Sequence, residues 1–289
     1  MATKKAPPAP AAKKPAATGG GAVVLWQEEM AAAAKKQVAQ EKPINSVATI
    51  STRGGVLSVD GDPVKGNALN LVVLGAVYEN AYYPGRFDPD NPQAPVCYAL
   101  ASEDADTPEE DMAPHDEAED PQADACANCE KNVMGSADTG RGKACKNVRR
   151  LVVVAQDALQ SAEDMKTSEM RVLKIPVTSV RNWAGYVRGP LAELGRPYFG
   201  VVTTVSCTPD AKTQYKVLFE VAENIDFTSD LYAALKVKRT DAAKLLSAPY
   251  PKNADLEAAR AAKAPSKGQR MVPQGRVAQK AVASKGRKF

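Results

Sequence analysis

Residues 125–150, ACANCEKNVMGSADTGRGKACKNVRR, constrain the possible fold more than any other part of the sequence. Cys126 and Cys129 form a Cys-x-x-Cys pair, whose two thiolates can face one ion across a tight turn. Cys145 follows at a separation that is usual between the halves of a zinc ribbon. Three cysteines leave a tetrahedral metal site one ligand short. The sequence therefore predicts a fourth ligand elsewhere in the chain.

Three residues could supply this fourth ligand. Cys97 is favoured, because it stands at the start of the same insertion, where a strand would enter it. His115, the only histidine, would complete a Cys3His site instead, although it can also be an exposed loop residue among acids. Cys207 lies in an apolar, strand-like stretch and is better explained as a buried core thiol. The ligand set predicts a structural Zn²⁺ in a closed site. Redox chemistry is disfavoured, because the Cys-x-x-Cys pair follows an acidic loop and not a strand.

The charge of the chain is strongly segregated. Residues 87–130 contain fourteen Asp or Glu and no Lys or Arg, so the remaining residues carry +18 although the whole chain carries only +4. The tails 1–22 and 258–289 contain Lys and Arg but no acids, and we expect both to be disordered basic arms. A basic body and basic arms favour a polyanionic partner.

Cations follow the cysteines directly, and other cations alternate with aromatic residues in "YENAYYPGRF" and "SVRNWAGYVRG". Proteins that bind single strands combine a basic groove with rings on which bases stack. The predicted nucleic-acid contacts are Lys131, Arg141, Lys143, Lys146, Arg149, Arg150, Tyr82, Tyr83, Arg86, Phe87, Arg181, Trp183, Tyr186 and Arg188.

Apolar periodicity predicts a mainly β, α+β fold in one domain, residues 23–257, with the zinc-binding insertion at about 85–148. Strands are predicted at 54–61, 67–85, 149–157, 170–177, 198–207 and 213–223, the last two as a hairpin. Helices are predicted at 23–40, at 178–195 with a break at Pro190, and at 228–247. Strands, then a helix, then two strands match the order of elements in an OB-fold barrel, which we expect here, although other α+β sheets share this order.

Several classes of protein are disfavoured. The glycine-containing segments lack the spacing of a nucleotide-binding loop, and His115 is the only histidine that could activate a nucleophile. We therefore expect no enzyme. The N-terminus lacks the apolar region of a secretory signal, and no apolar run is long enough to span a membrane, so we expect a cytoplasmic protein.

The segments "PVCYAL", "CANCEKNVMGS", "TGRGKACKNVRRLVVV" and "VRNWAGYVRGPLAELGRPYFGVVTTVS" resemble bacteriophage single-stranded DNA-binding proteins that carry an inserted zinc-binding module. The resemblance covers roughly residues 50–250. It implies an OB-like barrel, and Cys97, Cys126, Cys129 and Cys145 as the four zinc ligands. Many single-strand DNA-binding proteins end in an acidic tip that recruits partners, whereas this chain ends in "SKGRKF".

These observations predict a protein that binds single-stranded DNA without sequence preference during phage replication or recombination in the host cytoplasm. Its partners would be single-stranded DNA and phage replication or recombination proteins. Two alternatives stay open. One is a zinc-ribbon regulator that binds duplex DNA or a polymerase. The other is a basic virion protein that packages nucleic acid.

Overall fold

The structure, a computed structural model, describes Met30 and residues 48–85, 88, 91–101 and 110–263, with side chains described to residue 258. The chain divides into two units, residues 1–48 and 49–289, and the description below concerns the second. The predicted helix 23–40 lies outside the described residues except for Met30, which is helical. The predicted tail 1–22 lies wholly outside them, and so do Arg86, Phe87 and residues 264–289.

One curled sheet dominates the second unit, which confirms the mainly β, α+β prediction. Its path runs β3-β2-β1-β7-β6-β4-β8-β9, and β5 pairs with β4 beside this path. All strand pairs are antiparallel except β1 with β7, so the sheet is mixed. Its strong curl makes it a half-barrel. The strands are β1 (Thr49–Ser51), β2 (Ser58–Val59), β3 (Asp62–Pro63), β4 (Ala68–Tyr82), β5 (Cys97–Leu100), β6 (Lys146–Ala155), β7 (Arg171–Ile175), β8 (Val201–Asp210) and β9 (Gln214–Asn224).

Five α-helices are described in this unit: α1 (Ala162–Thr167), α2 (Val180–Tyr186), α3 (Ala192–Leu194), α4 (Ser229–Leu246) and α5 (Asn253–Lys263). Thr228 caps α4, since its side chain accepts a hydrogen bond from the Leu231 N–H at 3.2 Å. Helix α5 crosses residue 257, the predicted end of the domain.

The predicted break at Pro190 is present. Between α2 and α3 the chain forms a π-helical turn, Val187–Leu191, which contains Pro190. Proline has no N–H for the regular helical hydrogen bond, and a widened turn accommodates this loss. Gly195 ends the segment in the left-handed conformation with φ of +62°, where a Cβ would be strained.

The two faces of the sheet bury different partners, because successive strand side chains point to opposite faces. On the inner face, Leu151 and Val153 of β6 pack with Trp183 and Tyr186 of α2 in the main apolar cluster. On the outer face, α4 packs across β4 and β6 and against α1. Helix α2 thus covers part of the inner face and α4 covers part of the outer face.

A β-bulge in β4 determines which side chains reach the insertion. The pairing of β4 with β6 shifts register between Val73 and Gly75, leaving Leu74 as the extra residue. Before the bulge, odd-numbered residues of β4 face the inner cluster, and after it the even-numbered ones do. Asn80 and Tyr82 therefore face the cysteines, while Glu79 faces the opposite side of the sheet.

The predicted strands 67–85, 149–157, 170–177, 198–207 and 213–223 correspond to β4, β6, β7, β8 and β9, and helix 228–247 corresponds to α4. The predicted strand 54–61 is wrong over its first half. Residues Arg53–Gly55 form a 3-10 turn and only Ser58–Val59 form a strand. Gly54 and Gly55, with φ of +64° and +78°, interrupt the extended chain.

Candidate metal centre and nucleic-acid interface

The insertion begins by folding back on the strand that leads into it. Strand β5 runs antiparallel to the end of β4, with Cys97 opposite Tyr82 and Leu100 opposite Glu79. The Val96 N–H extends this pairing by donating to the Tyr82 carbonyl at 3.0 Å. Cys97 is therefore placed by the sheet itself, although it lies far from the other cysteines in sequence.

The four cysteines of the insertion line one cavity of about 10 Å³. Cys126 begins the first of two consecutive 3-10 turns and Cys129 links the two, with its N–H donating to the Cys126 carbonyl at 3.4 Å. Cys145 directly precedes β6, where its N–H donates to the Lys131 carbonyl at 2.8 Å. All four cysteines are buried free thiols. A space of this size holds a single ion or water but no organic ligand.

Polar groups of the protein are directed at these sulfur atoms. Burial raises the pKa of Cys126 and of Cys97, and hydrogen bonding from the Asn80 side chain and from the Gln122 backbone, respectively, opposes it. The Asn80 side-chain amide donates to the Met112 sulfur at 3.7 Å. The Asn132 amide donates to the Cys126 carbonyl at 2.9 Å and fixes the turn. Hydrogen bonds of this kind favour a charged thiolate and orient it, as the outer ligand shell of a metal site does.

Burial opposes the thiolate form of the same groups. Burial, together with the nearby sulfur atoms of Cys126, Cys129 and Cys97, raises the pKa of Cys145 to about 12. Four adjacent thiols in a buried site cannot all ionise by themselves, because each negative charge disfavours the next. A dication reverses this balance and deprotonates coordinating thiols outright.

The donor set fits Zn²⁺ by its chemistry. Four thiols, including one Cys-x-x-Cys pair, surround a space of ionic size. Among the described residues, however, no three Cys, His, Asp or Glu side chains are already arranged to hold a metal ion. The backbone thus brings the four cysteines together, while convergence on an ion would require adjustment of their side chains.

His115 and Cys207 occupy other positions. The His115 ring stacks on Tyr98 with a centroid distance of 4.9 Å, and its Nδ1 accepts the Glu117 N–H at 3.1 Å. It does not contribute to the lining of the cysteine cavity. Cys207 belongs to the main apolar cluster, as expected for a core thiol, and burial raises its pKa to about 11.

Two of the predicted phosphate-binding cations are buried. Arg149 is 8 % exposed, and its guanidinium lies 3.2 Å from the centroid of the Tyr78 ring. Arg150 is 5 % exposed, and its Nε donates to a Glu79 carboxylate oxygen at 2.5 Å. The structure therefore corrects the prediction for both residues, which stabilise the end of the sheet and do not face a ligand.

The predicted aromatic contacts of α2 are also corrected. Trp183 is 5 % exposed and Tyr186 is 3 % exposed, and both belong to the main apolar cluster. The Tyr186 hydroxyl bonds to the Thr203 hydroxyl at 2.8 Å, and Trp183 meets Phe219 edge-on. Neither ring is accessible to a base. Arg181 and Arg188, on and just after the same helix, are exposed.

Four of the remaining predicted contacts line an open cleft of about 560 Å³ beside the cysteine cavity. Tyr82 and Tyr83, at the end of β4, line it together with Lys131 and Lys146 from the two ends of the last cysteine loop. Tyr83 is 38 % exposed, and the Lys131 ammonium lies 5.6 Å from the centroid of the Tyr82 ring. Asp88 and Asp138 add two carboxylates to the lining.

The other two cations of the loop lie between these ends. Lys143 is half-buried, and its ammonium donates to the Asn132 side chain at 3.1 Å, which ties it to the turn after Cys129. Arg141 is exposed. The loop therefore presents four cations, two of them on the cleft wall, from a backbone that is fixed by the cysteine turns.

A buried charge cluster on the outer face of the sheet was missed by sequence reasoning. Glu79 is 1 % exposed and contacts Arg150 and, at 3.2 Å, the Lys174 ammonium. The Tyr250 hydroxyl bonds to the same carboxylate. Burial alone would raise the pKa of Glu79, but the Lys174 and Arg150 cations and the hydrogen bonds lower it overall. The one sequence signal was an acid within an apolar strand.

Comparisons with protein-family models, curated proteins and solved structures find no match for this chain. Within the described residues, no helix is both long and apolar enough to cross a membrane. The function is therefore argued from the site itself.

Proposed function

We propose that the protein binds single-stranded DNA without sequence preference, in phage DNA replication or recombination. The cleft lined by Tyr82, Tyr83, Lys131 and Lys146 carries this proposal, because it combines one half-buried and one exposed ring with cations on one open surface. Rings accept any base by stacking, and cations neutralise phosphates whatever the sequence. A groove of this kind therefore binds a flexible strand without reading its bases.

Two features of the fold support the proposal. Along the chain, strand β7 is followed by helix α2 and then by the β8–β9 hairpin, which is the order of elements in the second part of an OB fold. The residues outside the acidic segment are strongly basic. We propose that the sheet is an OB-like barrel in which the insertion forms one wall of the DNA-binding cleft.

We further propose that Cys97, Cys126, Cys129 and Cys145 hold a structural Zn²⁺. A bound zinc ion would supply a cross-link between β5, the two cysteine turns and the start of β6. Asn80 and Gln122 would orient two of the sulfur atoms through their hydrogen bonds. The zinc would affect DNA binding indirectly. Lys146 directly follows Cys145, and Lys131 lies two residues after Cys129, so fixing the cysteines would fix the positions of these cations.

Competition filter binding on the full-length protein tests the proposal. We expect labelled oligo-dT to be displaced by unlabelled single strands and poorly by duplex of the same length. Four loop cations predict a slope of log K against log salt of about −3 for a single strand, before any contribution from residues beyond the cleft. Preference for a duplex would support a zinc-ribbon regulator instead. Equal binding of both forms would support a packaging protein.

A further inference from the structure

The loop between Cys129 and Cys145 carries two exposed apolar residues at its tip. Met134 is 75 % exposed and Val133 is 56 % exposed. A single exposed apolar side chain is ordinary on a protein surface. Two consecutive exposed apolar side chains are less ordinary at this position, because they lie between Lys131 and Ser136, which both line the cleft.

The backbone holds this tip in one conformation. The Ser136 N–H donates to the Val133 carbonyl at 3.2 Å, and the Gly135 N–H donates to the Gly142 carbonyl at 2.8 Å. The Ser136 hydroxyl donates to the Lys131 carbonyl and accepts the Ala144 N–H, both at 2.9 Å. Gly135 has φ of +91°, a conformation that other residues adopt only with strain. The two side chains are therefore presented by a preorganised turn.

The charge around the tip indicates what it contacts. Residues 131–146 contain four cations, Lys131, Arg141, Lys143 and Lys146, against one acid, Asp138. An apolar tip surrounded by cations complements a ligand that carries phosphates outside and flat apolar faces inside, which describes a nucleic-acid strand. Apolar side chains inserted between base steps unstack them, and the flexible, polarizable thioether of methionine suits contact with aromatic faces.

We infer that Val133 and Met134 form an apolar wedge that enters between adjacent bases of a strand lying in the cleft. This inference rests on the proposed single-strand binding and adds a specific action to it. The wedge separates stacked bases, so the protein favours opened strands and traps them at the frayed ends of a duplex. Unstacking costs a few kcal/mol per step, which the phosphate contacts of the surrounding cations offset.

The experiment compares the full-length protein with the double variant Val133→Ser/Met134→Ser. The control is Val177→Ser/Leu194→Ser, which removes two apolar side chains of 51 % and 45 % exposure elsewhere on the surface. Each protein is titrated into an oligonucleotide containing 2-aminopurine between adenines, whose fluorescence rises when its neighbours unstack. Oligo-dT affinity and the melting temperature of a short A·T duplex are measured in parallel.

We expect the wild type and the control to raise the fluorescence and to lower the duplex melting temperature. The tip variant should lose at least half of both effects, with oligo-dT affinity changed by less than about tenfold, or 1.4 kcal/mol. A tip variant with the full fluorescence increase would overturn the wedge and leave single-strand binding intact. A wild type that does not bind oligo-dT would overturn both. A variant that changes only the sedimentation coefficient would assign the tip to an interface between copies and would also overturn the wedge.

Discussion

The sheet and the cysteine-bearing insertion are stabilised in different ways. In the sheet, Leu151, Val152 and Val153 are fully buried, one after another along β6. In the described part of the insertion, the apolar cluster consists of Ala99, Met112 and Cys126 with Tyr78 and Ala101 against it. Apolar burial contributes roughly 25 cal/mol per Å², so this small cluster stabilises little. Hydrogen bonds order the insertion, and the proposed zinc at its four cysteines would make it the part most sensitive to metal.

The largest expected effect comes from comparing a cysteine of the insertion with a cysteine of the sheet. Cys145→Ser should abolish tight zinc binding, since the whole affinity of a structural site, about 10–16 kcal/mol, depends on a complete ligand set. Cys207→Ser is the matched control, because Cys207 is a buried thiol of the sheet. Metal content of the purified proteins by mass spectrometry measures the difference. One zinc per chain in Cys145→Ser would show that this residue is not a ligand.

The buried charge cluster offers a comparison within the sheet. Glu79→Gln leaves Arg150 buried without its ionic partner, and removing one member of a buried pair typically costs about 3–5 kcal/mol. Glu193→Gln changes an exposed carboxylate and should have little effect. Urea denaturation at neutral pH provides the free energies of unfolding. Equal stability of the two variants would mean that the cluster contributes no net stabilisation.

The same cluster predicts a pH dependence with a definite sign. Because the folded protein lowers the pKa of Glu79 from its ordinary value of 4.5, the stabilisation is complete above that value and is lost as the pH falls through the folded pKa. The wild type should therefore lose its stability advantage over Glu79→Gln in acid. Urea denaturation of both proteins between neutral and acidic pH tests this. A constant difference between them would contradict the lowered pKa.

Tyr82→Ala tests the ring that links the sheet to the insertion. Loss of one stacking platform should weaken oligo-dT binding by about 1–3 kcal/mol. Tyr232→Ala removes a ring of 42 % exposure from α4 and serves as the control. Fluorescence anisotropy with labelled oligo-dT measures both affinities. If both variants bind as the wild type does, the cleft is not the binding surface.

The smallest expected effect comes from a single cation. Lys146→Ala should reduce the magnitude of the salt slope by about 0.7, because one fewer counterion is released from a single strand. Lys244→Ala, in which the lost ammonium pairs with Asp241 at 2.7 Å on α4, should leave the slope unchanged. Binding titrations over a range of salt concentrations give both slopes. An unchanged slope in Lys146→Ala would remove this residue from the contact surface.

The sequence predicted most of the regular elements, because their signals are local. The apolar run that became β4 and the leucine pattern of α4 are readable without knowledge of the fold. Strand β5 was not predicted, since the four residues Cys97–Leu100 form a strand only by pairing with β4. The bulge at Leu74 was not predicted either, although it decides which face of β4 meets the cysteines.

The spacing of the cysteines in the sequence predicted the candidate metal site, whereas the sequence did not show which of the predicted cations are buried. The spacing of Cys126, Cys129 and Cys145 indicated one cluster, and the structure brings Cys97 to the same cavity. Arg149 and Arg150 were misassigned, because two adjacent strand residues point to opposite faces and each meets a partner from β4. Glu79 precedes Arg150 by 71 positions, so no local pattern reveals the pair.

The contacts of the segment after α4 have a consequence for the order of folding during synthesis. Asn253 accepts the Ala94 N–H at 2.8 Å across 159 residues, and its own N–H donates to Glu119 at 2.6 Å. Tyr250 likewise reaches back 171 residues to Glu79. A ribosome that has completed the insertion must still add about a hundred residues before these contacts can form. The cysteine-bearing segment therefore spends much of translation without its final contacts. Binding of the proposed zinc at that stage would stabilise the segment before those contacts form.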